Sequence, residues 1–204
     1  MRPFHGGGFF LMVVAIFTGL YFVAAQPIGP EASVVKVSHD GGSGTGFILG
    51  PNHVMTAAHV VKGYDSFVVM DIDGVAQSAT VAWKDETADV ALLYLPIATT
   101  RKPLKLSCER PDLGVEVDVI GHPFVLTFVH RWGRIARSRL GVGDMDAPLK
   151  IHGLLAVDML PIFGQSGGPA IHNHRVVGML VSGVVMPFPY YGSPYPTNYA
   201  LIVP

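Results

Sequence analysis

The stretch SFVVMDIDGVAQSATVAW, residues 66–83, indicates an all-β fold. Its two apolar runs, residues 66–72 and 77–83, flank the dipeptide Asp73-Gly74. Aspartate and glycine tolerate the positive φ angles that tight hairpin turns require, so this dipeptide favours a β-turn between two paired strands. The stretch is therefore predicted to be a β-hairpin.

Similar short apolar runs occur on both sides of this hairpin. Short runs rich in β-branched and aromatic residues alternate with turns that contain glycine or proline. No long stretch has the 3.6-residue period of a helix, and only residues 57–61 are expected to form a short helical turn. Many short strands without helices are typical of a β-barrel or a β-sandwich. The other predicted strands are residues 34–37, 44–49, 90–95, 115–121, 125–138, 153–158, 169–171 and 176–185.

Length and composition are consistent with a folded β protein. The 204 residues are 50% hydrophobic and 14% charged, with a formal net charge of -1. They suffice for one large or two small β units, and we place a boundary between two units at about residues 96–114. The near-neutral charge argues against nucleic acid as a partner. Cys108 is the only cysteine, which excludes an intramolecular disulfide, and we expect it to be a small buried hydrophobic residue.

The N-terminus has the pattern of an export or anchor segment. Residues 9–25 (FFLMVVAIFTGLYFVAA) carry no charge, Arg2 precedes them, and Glu31 is the first acidic residue of the chain. Such an asymmetry predicts that the start of the chain stays in the cytoplasm and that the remainder is exported. Val23 and Ala25 are small enough for a signal-peptidase site, which favours a cleaved signal peptide.

An uncleaved membrane anchor is the other interpretation of this segment, since about 17–25 apolar residues are needed to span a bilayer. Both interpretations assign residues 1–25 to a signal peptide or anchor and residues 26–33 to a linker. Residues 34–204 then form the folded domain, which is secreted, periplasmic or held at a membrane outside the cytoplasm. Membrane association through residues 9–25 is thus a possible partner interaction.

Three short motifs carry the candidate chemistry. The first is T-A-A-H, which ends at His59. The second is D-V-A-L-L, which begins at Asp89, and the third is G-Q-S-G-G-P, which contains Ser166. Each residue alone has an ordinary structural explanation, such as a surface histidine, a turn-capping aspartate or a serine in a glycine-rich turn. The occurrence of all three, in this order and on a β background, argues against these separate explanations.

At these residues the chain resembles the trypsin-like serine proteases of the chymotrypsin fold, and in particular their HtrA-type branch. The resemblance extends from about residue 34 to residue 204, and the order His, Asp, Ser also matches. It implies an all-β fold of two antiparallel β-barrels with the active site between them. It also implies a serine endopeptidase that cleaves proteins or peptides outside the cytoplasm through an acyl-enzyme, without a cofactor or a metal.

The resemblance assigns a role to each member of the triad. A serine hydroxyl is a weak nucleophile at neutral pH, so Ser166 needs the imidazole of His59 as a base, and Asp89 orients that imidazole. The neighbouring glycines permit a tight turn that aims the backbone N–H groups of Gly164 and Ser166 at one point. These two groups are the predicted oxyanion hole.

Two departures from the family pattern affect regulation. Gln165 stands before the nucleophile, where digestive trypsins have an aspartate that pairs with a newly cut N-terminus. A glutamine cannot make that ion pair, so zymogen cleavage is not expected. The sequence ends at Pro204, directly after the predicted last strand, so we do not expect the peptide-binding PDZ domain of the HtrA-type branch.

Substrate preference is predicted from the position six residues before the nucleophile. In the family this residue lies at the base of the pocket for the side chain that precedes the scissile bond, and here it is Leu160. Val181, Ser182 and Gly183 are expected to form the other wall. Because a cation would be costly to bury against leucine, we expect cleavage after small or medium aliphatic residues.

Several alternatives stay open at the level of the sequence. A non-catalytic pseudoprotease that serves as a protein-binding module is the alternative function. His172 and His174 have a spacing that could suit a metal, but no third ligand is near in sequence. Residues 187–196 (PFPYYGSPYP) could line a substrate groove or pack over a barrel.

Overall fold

The computed structural model describes residues 29–140, 153–186 and 195–204, with side chains omitted at 185–186 and 195–198. The predicted signal or anchor segment (1–25), residues 26–28 and most of the 187–196 stretch lie outside the described residues. No helix within the described ranges is both long enough and apolar enough to cross a membrane.

The N-terminal half forms a closed six-stranded barrel. Its strands are connected in the order β1-β2-β3-β6-β5-β4, with antiparallel pairing throughout. Phe47, Phe67 and Leu93 are among the fully buried side chains that fill it. The strands are β1 (Val34–His39), β2 (Gly42–Gly50), β3 (His53–Thr56), β4 (Phe67–Met70), β5 (Ala76–Asp85) and β6 (Val90–Tyr94).

The C-terminal half forms a second barrel around its own core. The sheet runs in the order β11-β8-β9-β10-β13-β12-β7, and pairing of β11 with β12 closes six of these strands. Val119, Leu155 and Ile202 are fully buried in its interior. The strands are β7 (Lys105–Leu106), β8 (Glu116–Gly121), β9 (Val129–Leu140), β10 (Leu154–Asp158), β11 (Pro169–His172), β12 (Arg175–Met186) and β13 (Tyr195–Val203).

The all-β double-barrel architecture predicted from the sequence is confirmed. The predicted hairpin around Asp73-Gly74 is present as the antiparallel pair β4–β5. The described helical structure consists of two four-residue 3-10 helices, Pro30–Ser33 and Ala58–Val61. The second of these corresponds to the short helical turn that was expected at residues 57–61.

Local differences from the sequence prediction have physical reasons. Strand β9 starts at Val129 and not at residue 125, because Val125 and Leu126 lie in an exposed turn. The expectation that Cys108 is buried is wrong, since its thiol is free and exposed. Cys108 follows β7, a two-residue strand at the edge of the second sheet, and both residues of that strand are themselves exposed.

Candidate active site

His59 and Asp89 are brought together by the pairing of two strands in the first barrel. His59 lies in the 3-10 helix just after β3, and Asp89 immediately precedes β6. Strands β3 and β6 are antiparallel, with Thr56 opposite Ala91, so the end of one strand adjoins the start of the other. The 30 residues that separate the two side chains in sequence therefore do not separate them in space.

The Asp89 carboxylate binds His59 through both of its oxygens. Oδ1 accepts a hydrogen bond from the backbone N–H of His59 at 2.8 Å, and Oδ2 lies 2.7 Å from Nδ1 of the ring. A carboxylate can only accept here, so Nδ1 carries the hydrogen. In the neutral ring this leaves Nε2 as a free proton acceptor. The Asp89 side chain is 8% exposed and that of His59 is 45% exposed, so the carboxylate is shielded and the imidazole is accessible.

The turn between β5 and β6 holds Asp89 in an unusual backbone conformation. Its φ is 54°, in the left-handed region that aspartate tolerates better than most residues because its short side chain can bond locally. Asp85 shapes the turn, since its Oδ1 accepts from the N–H groups of Thr87 at 2.7 Å and Ala88 at 3.1 Å. Local hydrogen bonds thus fix the turn that presents Asp89 to the histidine.

The segment 164–168, which carries Ser166, lies between the two barrels. The backbone N–H of Thr45 in β2 donates to the carbonyl of Ser166 at 2.8 Å. On the other side, Gly167 N–H donates to Leu180 O at 2.7 Å, and Leu180 N–H donates to Gly168 O at 2.9 Å. Ser166 is therefore tied to the first barrel and to strand β12 of the second.

Gly167 explains why no larger residue can follow the serine. Its φ is +86°, and a Cβ there would overlap the carbonyl oxygen of Thr45 and lie 3.0 Å from the backbone nitrogen of Ala57. Ala57 is two residues before His59. Because Gly167 has no side chain, the segment that carries Ser166 can pack against the segment that carries His59.

The predicted oxyanion-hole donors are available for a ligand. Neither Gly164 N–H nor Ser166 N–H has a hydrogen-bond acceptor among the described residues. Gly164 has a φ of +93°, and a Cβ there would overlap the carbonyl oxygen of His122. The carbonyl of Phe163 accepts from Phe124 N–H at 3.1 Å. Because a trans peptide places C=O and N–H on opposite sides, this bond turns the Gly164 N–H away from Phe124.

Gln165 serves the geometry of its own loop. It is fully buried, and its Oε1 accepts from Ile162 N–H at 3.1 Å, while its own N–H donates to Ile162 O at 3.2 Å. The side-chain amide thus closes a turn within the segment.

Two residues near this loop were not singled out from the sequence. Thr45 and His122 are both fully buried, and the Thr45 hydroxyl donates to the carbonyl of Gly164 at 2.7 Å. His122 follows β8 directly, and its ring packs edge-on against Phe128 with centroids 4.6 Å apart. The position of a polar residue between Gly44 and Gly46, just before the apolar run of residues 47–49, was the available signal for Thr45.

The residues of the predicted substrate pocket lie on two adjacent segments. Leu160 is two residues beyond β10 and is 38% exposed, whereas Val181 in β12 is 3% exposed. Pro161 packs against Gly183, where a Cβ would overlap the proline ring. The chain next to Leu160 therefore lies against the strand that carries Val181, Ser182 and Gly183.

An exposed apolar rim borders the loop of residues 164–168, which carries the predicted oxyanion-hole donors. Phe163 is 85% exposed, and Phe124, Val125 and Leu126 are 66%, 90% and 60% exposed. The rings of Phe124 and Phe163 lie close together, with centroids 6.4 Å apart. Large side chains that are exposed together in this way commonly mark a binding surface.

Among the described residues, the two histidines considered as metal ligands do not belong to a cluster of potential ligands. His172 instead donates from Nδ1 to the carbonyl of Glu116 at 2.9 Å. Within the described ranges, no group of three or more side chains is arranged to hold a metal ion.

Comparisons with known proteins cover most of this chain. A family model described as "Trypsin-like peptidase domain" matches residues 44–179. Serine protease Rv3671c of Mycobacterium tuberculosis H37Rv is 32% identical over 148 residues, which cover 70% of this chain and 36% of that protein. Serine protease HTRA1 of Xenopus tropicalis is 30% identical over 141 residues, which cover 67% of this chain and 30% of that protein.

Structural comparison agrees with the sequence matches. The crystal structure of the M. tuberculosis Rv3671c protease in its active form superposes with a TM-score of 0.70 at 29% identity. The superposition covers 85% of this chain and 76% of that one. The match spans only about a third of the full length of the two curated relatives, 36% and 30%.

The packing at Gly167 leads to a stability prediction with a matched control. Gly167→Ala should destabilise the protein by more than the ~1 kcal/mol expected for alanine at positive φ, because its methyl group would overlap Thr45 O. Gly74→Ala is the control, since Gly74 has a similar φ of +78° with nothing within 4 Å of the added carbon. Chemical denaturation of both variants measures the difference. Equal losses would contradict the close packing at Gly167.

Proposed function

The chain belongs to the trypsin-like peptidase family, and from this membership we infer that it is a serine endopeptidase that hydrolyses peptide bonds through an acyl-enzyme. The resemblance to HtrA-type proteases noted in the motifs is confirmed by the match to HTRA1. We propose His59, Asp89 and Ser166 as the catalytic triad, with the N–H groups of Gly164 and Ser166 as the oxyanion hole.

The proposal rests on which hydrogen-bond donors and acceptors of His59 and of the serine loop are left open. His59 is oriented by both oxygens of Asp89, which leaves Nε2 to accept a proton. Two backbone N–H groups of the serine loop have no acceptor among the described residues. Gly164 and Ser166 are only partly buried, so a ligand can reach these N–H groups, and catalysis of acyl transfer requires such open donors.

The proposed reaction proceeds in two halves. The Ser166 hydroxyl attacks the scissile carbonyl as His59 Nε2 takes its proton, and the carbonyl electron pair moves onto the oxygen that faces the two N–H donors. Collapse of this tetrahedral intermediate breaks the C–N bond, and His59 gives its proton to the leaving amine. A water molecule then repeats the sequence on the acyl-enzyme, which releases the acid and restores Ser166.

The alternative function is a pseudoprotease that binds peptides without cleaving them. Such a protein would be free to lose the orienting hydrogen bonds while keeping the barrels. The paired His59 and Asp89 and the open N–H groups favour the enzyme. A peptide-binding module and an enzyme differ in whether Ser166 reacts, and the first prediction below tests that difference.

We propose polypeptides with exposed apolar side chains as the substrates. Phe163 adjoins Gly164 in sequence, so its exposed ring lies within reach of a peptide bound at the oxyanion hole. The neighbouring Phe124, Val125 and Leu126 enlarge the apolar surface. Apolar residues at the proposed pocket, with Leu160 at its base, add a second preference for aliphatic side chains.

Export from the cytoplasm is proposed from the uncharged run at residues 9–25, which follows Arg2 and precedes every acidic residue. The proposal includes both a cleaved signal peptide and an anchor, because each leaves the folded domain outside the cytoplasm.

The first prediction concerns the triad. Ser166→Ala should abolish peptide hydrolysis while leaving the free energy of unfolding nearly unchanged, since it removes one oxygen atom. His59→Ala should be about as damaging, because triad members act as a unit. Ser78→Ala, at an exposed position in β5, is the control and should keep full activity. Hydrolysis by the Ser166→Ala protein would exclude the proposed nucleophile.

The second prediction concerns the pocket. Profiling on a peptide mixture should show cleavage after valine, alanine or leucine and poor cleavage after arginine or lysine. Leu160→Gly should extend cleavage to larger side chains, with selectivity changing by about 10–200-fold, as expected for 1–3 kcal/mol in an apolar pocket. Dominant cleavage after a basic residue in the parent protein would refute the pocket assignment.

The third prediction concerns export. Mass spectrometry of the expressed full chain should find the folded domain outside the cytoplasm, either starting near Gln26 or intact in a membrane fraction. Replacing Phe17 with Arg should retain the protein in the cytoplasm, because a charge within the apolar run opposes insertion. Unchanged export of that variant would contradict the role of residues 9–25.

A further inference from the structure

The hydroxyl of Thr45 lies at the centre of a buried hydrogen-bond network behind the oxyanion loop. Its oxygen is 2.7 Å from the carbonyl oxygen of Gly164, 3.1 Å from the backbone nitrogen of His122 and 3.3 Å from Nδ1 of the His122 ring. Thr45 and His122 are both 0% exposed. The network therefore joins strand β2 of the first barrel to the end of β8 and to the oxyanion loop.

The hydrogen atoms of this network can be assigned from its chemistry. A carbonyl only accepts, so the Thr45 hydroxyl gives its one hydrogen to Gly164 O. The backbone N–H of His122 only donates, and it occupies one lone pair of the hydroxyl oxygen. The remaining contact, from His122 Nδ1, can be a hydrogen bond only if Nδ1 carries a hydrogen. The His122 ring is thus the tautomer with a bare Nε2.

The environment of Nε2 favours this neutral ring. Nε2 is buried and has no hydrogen-bond partner among the described residues. Protonation would add a charged N–H for which the described part of the chain offers no acceptor. Burial, together with the charge of the Lys36 ammonium group in β1, lowers the pKa of His122 to about 4. The ring is therefore neutral at physiological pH.

Gly164 needs such restraint because its N–H is a proposed catalytic donor on a residue without a side chain. The peptide group before Gly164 is fixed by the bond from Phe124 N–H to Phe163 O at 3.1 Å. The peptide group after it is fixed by the bond from Thr45 to Gly164 O at 2.7 Å. With both peptide planes held, the φ of +93° at Gly164 has little freedom to vary.

We propose that Thr45 and His122 form a clasp that positions the oxyanion hole, with Thr45 holding the carbonyl of Gly164 and neutral His122 holding the hydroxyl of Thr45. Both are positioning residues, since neither reaches the proposed site of the reacting atoms except through Gly164. The inference rests on the proposed function of Gly164 N–H. It also makes a separate claim about the protonation state of a buried ring.

The catalytic test compares Thr45→Val with Thr45→Ser. Valine keeps the shape and removes the hydroxyl, so kcat should fall by up to about 10²–10³-fold, the usual effect of losing one oxyanion donor. KM should change little, because the hole acts on the transition state. Serine keeps the hydroxyl and should restore most of kcat.

Ser33→Ala is the matched control for a buried hydroxyl. The Ser33 hydroxyl is also buried and donates to a carbonyl, that of Lys102, at 2.6 Å. Its loss should lower the free energy of unfolding by about 1 kcal/mol and leave kcat unchanged. If Thr45→Val and Ser33→Ala lower kcat equally, or if Thr45→Val leaves kcat intact, the clasp has no catalytic role.

The second test addresses His122 with Asn and Leu. Asparagine can donate from the position of Nδ1 and does not titrate, whereas leucine cannot donate. His122→Asn should keep kcat within a few-fold of the parent protein, and His122→Leu should lower it as Thr45→Val does. Equal activity of the Asn and Leu variants would overturn the assigned role of Nδ1–H.

The pH dependence of stability separates this inference from the proposed function. The pKa of His122 in the folded protein, about 4, lies below the ordinary 6.5. The stabilisation from the neutral ring is therefore complete above pH 6.5 and is lost as the pH falls toward 4. In His122→Asn, proton uptake on unfolding near pH 5 should fall by about one proton.

The measurement of unfolding across this pH range tests the protonation state of His122 even if the protein cleaves no peptide. An inactive parent protein would refute the proposed function, and an unchanged proton uptake in His122→Asn would refute the neutral clasp. The two failures are thus distinguishable.

Discussion

The site depends on the close approach of the Ser166 segment to the backbone of the first barrel. Thr45 N–H reaches Ser166 O at 2.8 Å, and Gly167 lies where any side chain would overlap Thr45 O. The same segment is paired with Leu180 of the second barrel. The two barrels also share one continuous cluster of buried side chains, so they are held together at the point where the proposed chemistry would occur.

The remaining parts of the site follow from strand pairing and from turns. The antiparallel pairing of β3 and β6 brings His59 to Asp89, and the turn capped by Asp85 gives Asp89 its positive φ. The Asp89 carboxylate accepts one hydrogen bond from the backbone N–H of His59 and one from Nδ1 of its ring. Local hydrogen bonds thus set the position of Asp89, Asp89 sets the tautomer of His59, and the His59 ring is left accessible.

Much of this arrangement could be predicted from the sequence, because it is encoded by local patterns. The hairpin at Asp73-Gly74 and the barrel class follow from turn chemistry and short apolar runs. Burial at the sheet edge depends on tertiary contacts, so the exposed Cys108 was not foreseen. The same holds for Thr45 and His122, which are 77 residues apart and meet only after both barrels form. The triad roles, the absence of zymogen cleavage and the export segment stay predictions.

The central claim is that Ser166 is an activated nucleophile set between an oriented base and two open N–H donors. Peptide mapping by mass spectrometry, after exposure of the folded protein to a fluorophosphonate probe, tests this claim most directly. We predict a single adduct, located on the peptide that contains Ser166 and absent when the protein is unfolded before exposure. No adduct, or an adduct on another serine of the folded protein, would contradict the account.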